Sequence, residues 1–178
     1  NEISGEYSLT ENIKLFSTAY RTRMKDRIKI NSSWNAYENK IPDTTQEGLE
    51  NEIKWLTNNQ SISFVSHFAK SRTSSNGPNS RRPDLSYGLD YLKKFNSSFY
   101  GPLDLNLSHR YIGDHIDWTG SKNEFVKSVD LIDMSISKSL YGNIISINLT
   151  NLLNERYEKP GTYSQDGRMI NFGFRRSY

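Results

Sequence analysis

The stretch "LDLNLSHRY", residues 103–111, places Leu103, Leu105, Leu107, His109 and Tyr111 at one parity and Asp104, Asn106, Ser108 and Arg110 at the other. A period of two marks an extended strand with one dry and one wet face, because successive side chains point to opposite sides. The same alternation recurs along the chain. "LSYGLDY" sets Leu85, Tyr87, Leu89 and Tyr91 against Ser86, Gly88 and Asp90, and "LIDMSISKSL" sets Ile132, Met134 and Ile136 against Asp133, Ser135 and Ser137. The ending "INFGFRRSY" sets Ile170, Phe172, Phe174 and Tyr178 against Asn171, Gly173, Arg175 and Ser177. Nine such runs are predicted, near residues 2–9, 12–31, 37–56, 61–72, 84–95, 102–114, 126–139, 143–151 and 167–178. The fold class that follows is all-β and antiparallel.

The connections separate a membrane barrel from a soluble sandwich. "TEN", "TNNQ", "NSSFYG" and "YGN" are short turns rich in Asn, Ser and Gly, whereas the connections around 73–83, 115–125 and 152–166 are long and polar. Short turns on one side and long loops on the other is the outer-membrane arrangement. A sandwich has no reason to sort its loops in this way. Hydrophobic residues make up only 34% of the 178. No window approaches the ~18 consecutive apolar residues of a membrane helix, but a barrel, whose strands alternate faces, needs no such window.

The runs at 12–31 and 37–56 are about twice the ~9–11 residues that cross a bilayer as a tilted strand. They are expected to project above it. The first carries a cation at every second position: Arg21, Arg23, Lys25, Arg27 and Lys29. The opposite parity, Phe16, Thr18, Tyr20, Thr22, Met24, Ile28 and Ile30, is mostly apolar or β-branched, with Asp26 the one charge. The cations are therefore expected on the wall of an extracellular vestibule, with Tyr20 near an interface. Glu50 and Glu52 of the next run are their expected partners. A solvated strand face is the plainer explanation of the row. Nucleic acid is not expected, since 23 basic and 20 acidic residues are interspersed and a vestibule wall is concave.

Catalysis finds no footing. The chain has no cysteine, so disulfides and thiolate chemistry are excluded. Ser108 and His109 are adjacent in a strand and point apart, and His67 and His115 fall in different parts of the pattern. Asp114 and Asp117 are expected to be solvated loop acids rather than cation ligands. No catalytic residue, metal site or cofactor is assigned. Trp34, Trp55 and Trp118 lie near strand ends, as interfacial anchors do. Arg23, Lys25, Arg27, Trp118 and Tyr163 are the ligand or vestibule candidates, although loop packing is the plainer role for Trp118 and Tyr163.

The closing stretch "NLTNLLNERYEKPGTYSQDGRMINFGFRRSY" is similar to the ending of TonB-dependent outer-membrane receptors, through Asn151, Leu152, Asn154, Tyr157, Tyr163, Gly167, Arg168 and Tyr178. "HRYIGDHID" resembles a strand end of that family through Arg110, Tyr111, Gly113, Asp114 and Asp117. "RRPDLSYGLDY" and the segment around Gly48, Leu49 and Glu50 resemble two more of its stretches, and the subtype most alike is the vitamin B12 (cobalamin) receptor. The resemblance covers nearly all of the chain. It implies residues 1–178 as the C-terminal part of a 22-stranded barrel, with the plug domain and first strands absent, in the bacterial outer membrane. It also implies TonB, engaged through the missing plug region, outer-membrane lipids and the barrel assembly machinery as partners. Phe172, Phe174 and Tyr178 are the implied assembly signal. The implied cargo is a corrinoid, or else a ferric siderophore. Two other readings stand beside it: a small eight-stranded barrel with a structural or adhesion role and residues 1–9 as a tail, and an outer-membrane hydrolase.

Overall fold

The structure, a computed structural model, describes residues 1–25, 28–31, 33–39, 43–73, 82–97, 101–118, 123–158 and 163–176. The strands in chain order are β1 (Glu2–Thr10), β2 (Ile13–Met24), β3 (Lys29–Ile30), β4 (Tyr37–Glu38), β5 (Thr44–Leu56), β6 (Gln60–Thr73) and β7 (Leu85–Ser97). They continue with β8 (Gly101–Ile112), β9 (His115–Trp118), β10 (Asn123–Val126), β11 (Val129–Leu140), β12 (Asn143–Thr150) and β13 (Met169–Arg176). Nine of them form one sheet in the order β1-β2-β5-β6-β7-β8-β11-β12-β13, while β3 with β4 and β9 with β10 are separate two-stranded ribbons. Every neighbouring pair is antiparallel, so the main sheet is a meander. It is open, with β1 and β13 as its edges. Each of the nine expected runs contributes one strand to the main sheet. Residues 2–10 pair with β2 as a full strand, so they are not the tail that the eight-stranded reading requires.

Register assigns the two faces. Ile13, Trp55, Ile62, Tyr91, Leu107, Met134, Leu149 and Ile170 are successive partners across eight strands, a single transverse apolar row. One step along, Lys14, Lys54, Ser63, Asp90, Ser108 and Asp133 form the matching row on the other face. Large exposed apolar residues such as Ile53, Phe68, Leu89, Ile147 and Phe172 share the parity of the first row. Burial is confined elsewhere. Thr44, Ala69, Ser71, Val129 and Leu131 are buried, all on the polar face near the strand ends that carry the long connections. Among the described residues, the sheet thus has an apolar face without a cover and a polar face that is covered at one end.

The short turns are tight. Tyr141 and Gly142 both have positive φ, 49° and 76°, as a type I′ hairpin turn demands, and Gly accepts that conformation at no steric cost. Polar groups also stand on the apolar face, and one row of them is closed on itself. Ser17 Oγ donates to Asn51 Oδ1 at 2.8 Å and Asn51 Nδ2 donates to Ser66 Oγ at 3.4 Å, so these groups satisfy one another sideways.

Two expectations are corrected. The runs at 12–31 and 37–56 do not form strands of double length, since the ladder between β2 and β5 stops at Met24 and Thr44. Among the described residues beyond it, pairing resumes in the ribbon of β3 and β4. The second correction concerns the basic row. Arg21 and Arg23 share their parity with Ile13 and Leu15 and pair with Glu47 and Thr45 of the apolar face, so they do not stand on the covered polar face. Phe16 and Tyr20 take that place. Glu50 and Glu52 are consequently on the opposite side from the row: Glu50 lies 3.3 Å from His67 and Glu52 2.8 Å from Lys54.

Candidate functional site

The polar face is closed over at its long-loop end by the ribbon of β9 and β10 and by the segment 151–158. A transverse row of Ser86, Ile112 and Val129 forms the floor of a cavity of about 480 Å³ there. His115 and Asp117 alternate around Ile116 on β9 and so face the same side, with Val126 paired to His115 from β10. Pro83, Lys127, Tyr157 and Glu158 complete the wall, so an ammonium stands among its acids. Its lining mixes branched apolar side chains with an imidazole, two carboxylates and a phenol, a combination suited to holding a ligand by shape with a few polar contacts. Among the described residues no group of three His, Asp or Glu side chains is arranged to hold a metal ion.

Local bonding explains why this wall stands where it does. Asn151, at φ 51°, ends β12 in a left-handed turn. Its backbone N–H donates to Asp133 Oδ1 at 2.8 Å. Its side chain accepts from the Glu155 N–H at 2.9 Å and donates to the carbonyls of Glu155 and Asp166 at 2.9 and 3.2 Å. Asn154, at φ 56°, accepts from the Arg168 N–H at 2.9 Å. The two asparagines of "NLLN" therefore act as staples that close the neck of the loop 151–168. Tyr157 projects from that loop, and the Gln165 N–H donates to its carbonyl at 2.9 Å. At the other neck, Asp114 accepts from the Ser128 N–H at 2.6 Å, which fixes the base of the ribbon.

A second polar cluster lies on the same face, on β2, β5 and β6. Tyr20 lies across Gly48, where a Cβ would meet its ring at 2.5 Å. The Tyr20 hydroxyl is 3.1 Å from His67 Nε2 and accepts from Gln46 Nε2 at 3.3 Å. Gln46 in turn accepts from Arg82, just ahead of β7, at 2.8 Å.

The sequence candidates fall apart spatially. Arg23 is on the apolar face, paired with Asp43 at 3.0 Å, and Lys25 is exposed beyond the end of β2. Tyr163 is 67% exposed and outside the cavity lining, so Tyr157 is the loop aromatic that meets the cavity. Arg27 and Tyr178 lie outside the described residues, as does the side chain of Trp118, whose backbone pairs with Asn123. Asp117 is fully buried, which corrects its expected role as a solvated loop acid. His115 had no signal of its own in the sequence; its spacing of two from Asp117 at a strand end was the available one. Phe172 and Phe174, paired with Ile147 and Ile145, lie on the apolar face as their parity demands.

No protein-family model matches the chain, and no curated protein does. Solved structures match by fold. The ferric yersiniabactin uptake receptor of Yersinia pestis aligns with 97% of this chain and 27% of its own, at TM-score 0.77 and 18% identity. The apoprotein of the FrpB iron transporter of Neisseria meningitidis aligns with 97% of this chain and 30% of its own, at 0.77 and 14%. The outer-membrane ferripyoverdine receptor of Pseudomonas aeruginosa, bound to ferripyoverdine, aligns with 96% and 26%, at 0.77 and 18%. The chain therefore spans less than a third of the length of each of these structures. The likeness is one of fold: the open sheet overlays a portion of each of these structures.

Proposed function

We propose that the chain is the C-terminal nine-strand portion of a TonB-dependent receptor in the bacterial outer membrane, and that the whole protein imports a ferric siderophore. The observation that carries this reading is the nine-strand meander with one uncovered apolar face, which overlays receptor barrels along 97% of its length. In this reading the apolar face meets lipid and the polar face lines the lumen. The short turns are periplasmic and the long loops extracellular. The free edges of β1 and β13 pair with strands outside these residues, because an open edge in hydrocarbon leaves its N–H and C=O groups without partners. TonB acts through a plug, and the assembly machinery reads the end of β13.

A siderophore is preferred to a corrinoid because the three neighbours described are receptors or transporters of iron or its chelates. The cobalamin reading rests on sequence fragments alone and gains nothing from them. The cavity beneath Tyr157 and the β9–β10 ribbon belongs to the outward-facing vestibule and serves binding, without covalent chemistry. The test is accumulation of radioactive iron from ferric hydroxamate and ferric catecholate chelates by cells that carry the whole receptor as their one siderophore receptor. Uptake that vanishes on deletion of TonB is expected. Uptake of labelled cyanocobalamin instead would transfer the assignment to corrinoids, and no uptake of either, at normal surface levels, would overturn import.

A further inference from the structure

The basic row, displaced from the vestibule by the register, acquires a different set of neighbours. Arg21, Glu47 and Lys70 are successive partners across β2, β5 and β6, and Arg23, Thr45 and Arg72 form the next row of the same face toward the long loops. The row below them is Ala19, Leu49 and Phe68, where the apolar surface begins. Two carboxylates are at hand: Glu47 pairs with Arg21 and Asp43 with Arg23, each at 3.0 Å. Lys70 lies with its ammonium 5.6 Å from the centre of the Phe68 ring, so its stem runs along the edge of the apolar surface. Neither Lys70 nor Arg72 forms an ion pair with an acid among the described residues. The patch carries four cations and two anions, all beside an apolar surface where Leu49 and Phe68 are exposed and no described residue forms a cover.

We infer that Arg21, Arg23, Lys70 and Arg72 bind the phosphate groups of a lipid of the outer leaflet, whose acyl chains lie against Ala19, Leu49 and Phe68. The inference rests on the membrane reading proposed above and names the occupant of one part of the outer wall. An inorganic phosphate would answer the charge but leave the adjoining apolar row unused. A lipid phosphate answers both, since its charge and its hydrocarbon are joined at the height where the face changes from Phe68 to Lys70. Arg suits this role because its planar fork meets phosphate oxygens in pairs.

The whole receptor in detergent is loaded with bisphosphoryl lipid A, or with the same lipid freed of phosphate, and the bound lipid is counted by native mass spectrometry. The combined change Arg21→Gln, Arg23→Gln, Lys70→Gln and Arg72→Gln is expected to lower retention of the phosphorylated lipid about tenfold or more. Retention of the dephosphorylated lipid should be low in both proteins, and excess inorganic phosphate at fixed ionic strength should displace little. Glu47→Gln, which keeps every cation and removes a competing acid, should raise retention and decides the matter even if the fourfold variant misfolds. Equal retention by wild type and variants, or equal binding of both lipids, overturns the inference while leaving the membrane reading intact. A receptor that fails to enter phosphatidylcholine bilayers at all overturns both.

Discussion

Strands β2, β5 and β6 and strands β11, β12 and β13 keep their faces apart by different means. In the later group the polar face is made of small residues, Ser135, Asn148 and Asn171 in one row and Ser137, Ser146 and Gly173 in the next. Its other face carries Ile136, Ile147 and Phe172 together. In the earlier group the polar face holds Phe16, Tyr20 and Val65, while the apolar face holds Ser17, Asn51 and Ser66 and ends in Arg21, Glu47 and Lys70. Side-chain polarity alone does not decide which way a residue points. The requirement is that each group find a partner where it stands: a ring over a glycine, an amide between two hydroxyls, a guanidinium beside a carboxylate.

The sharpest way to break this comparison is at the clean end. Phe172→Arg places a charge on the apolar face opposite Ile147 and is expected to cost about 2–4 kcal/mol if that row lies near the bilayer midplane. Asn171→Arg on the other face should cost well under that. Urea unfolding of the whole protein in lipid vesicles measures both, and equal costs would collapse the distinction between the faces. At the mixed end, Gly48→Ala forces Tyr20 off its glycine and away from His67, at about 1–3 kcal/mol. The same change in a Tyr20→Ala background should be nearly silent, because the two effects share one contact. A third change tests the covered end of the polar face. Asn151→Ala removes three side-chain hydrogen bonds from the loop neck and should loosen residues 151–168 by about 1–2 kcal/mol. Hydrogen exchange at the Glu155 amide should quicken while exchange in β12 stays as it was; Asn151→Gly, which relieves the backbone but lacks the amide, should behave alike. The smallest effect is expected at Arg21 and Glu47, both more than half exposed, where a double-mutant cycle should return about 0.2–1 kcal/mol.

These two halves also separate what the sequence made legible from what it did not. Strand number, order and the sorting of turns follow from periodicity and from Asn, Gly and Ser punctuation, and they are as local as the backbone itself. The facing of β13 was legible for the same reason: one parity is Asn171 and Gly173, the other Phe172 and Phe174. In β2 parity misled. Phe16, Tyr20 and Met24 make one side read as apolar, and only the pairing of Arg21 with Glu47, and of Glu47 with Lys70, settles the matter. That information lives in residues far apart in the chain. The cavity was hidden for a related cause, since His115, Val129 and Tyr157 come together through the ribbon and the asparagine staples, neither of which periodicity reports.

On the membrane reading proposed above, the row of Ser17, Asn51 and Ser66 bears on the order in which the strands enter a bilayer. Asn51 draws one partner from the strand before it and one from the strand after it. A carboxamide stranded in hydrocarbon without partners costs several kcal/mol, on the order of a lost hydrogen bond per group. A lone hairpin of β5 and β6 would carry that amide half-satisfied. Three strands already zipped side by side carry it closed, so β2, β5 and β6 have to arrive as a set.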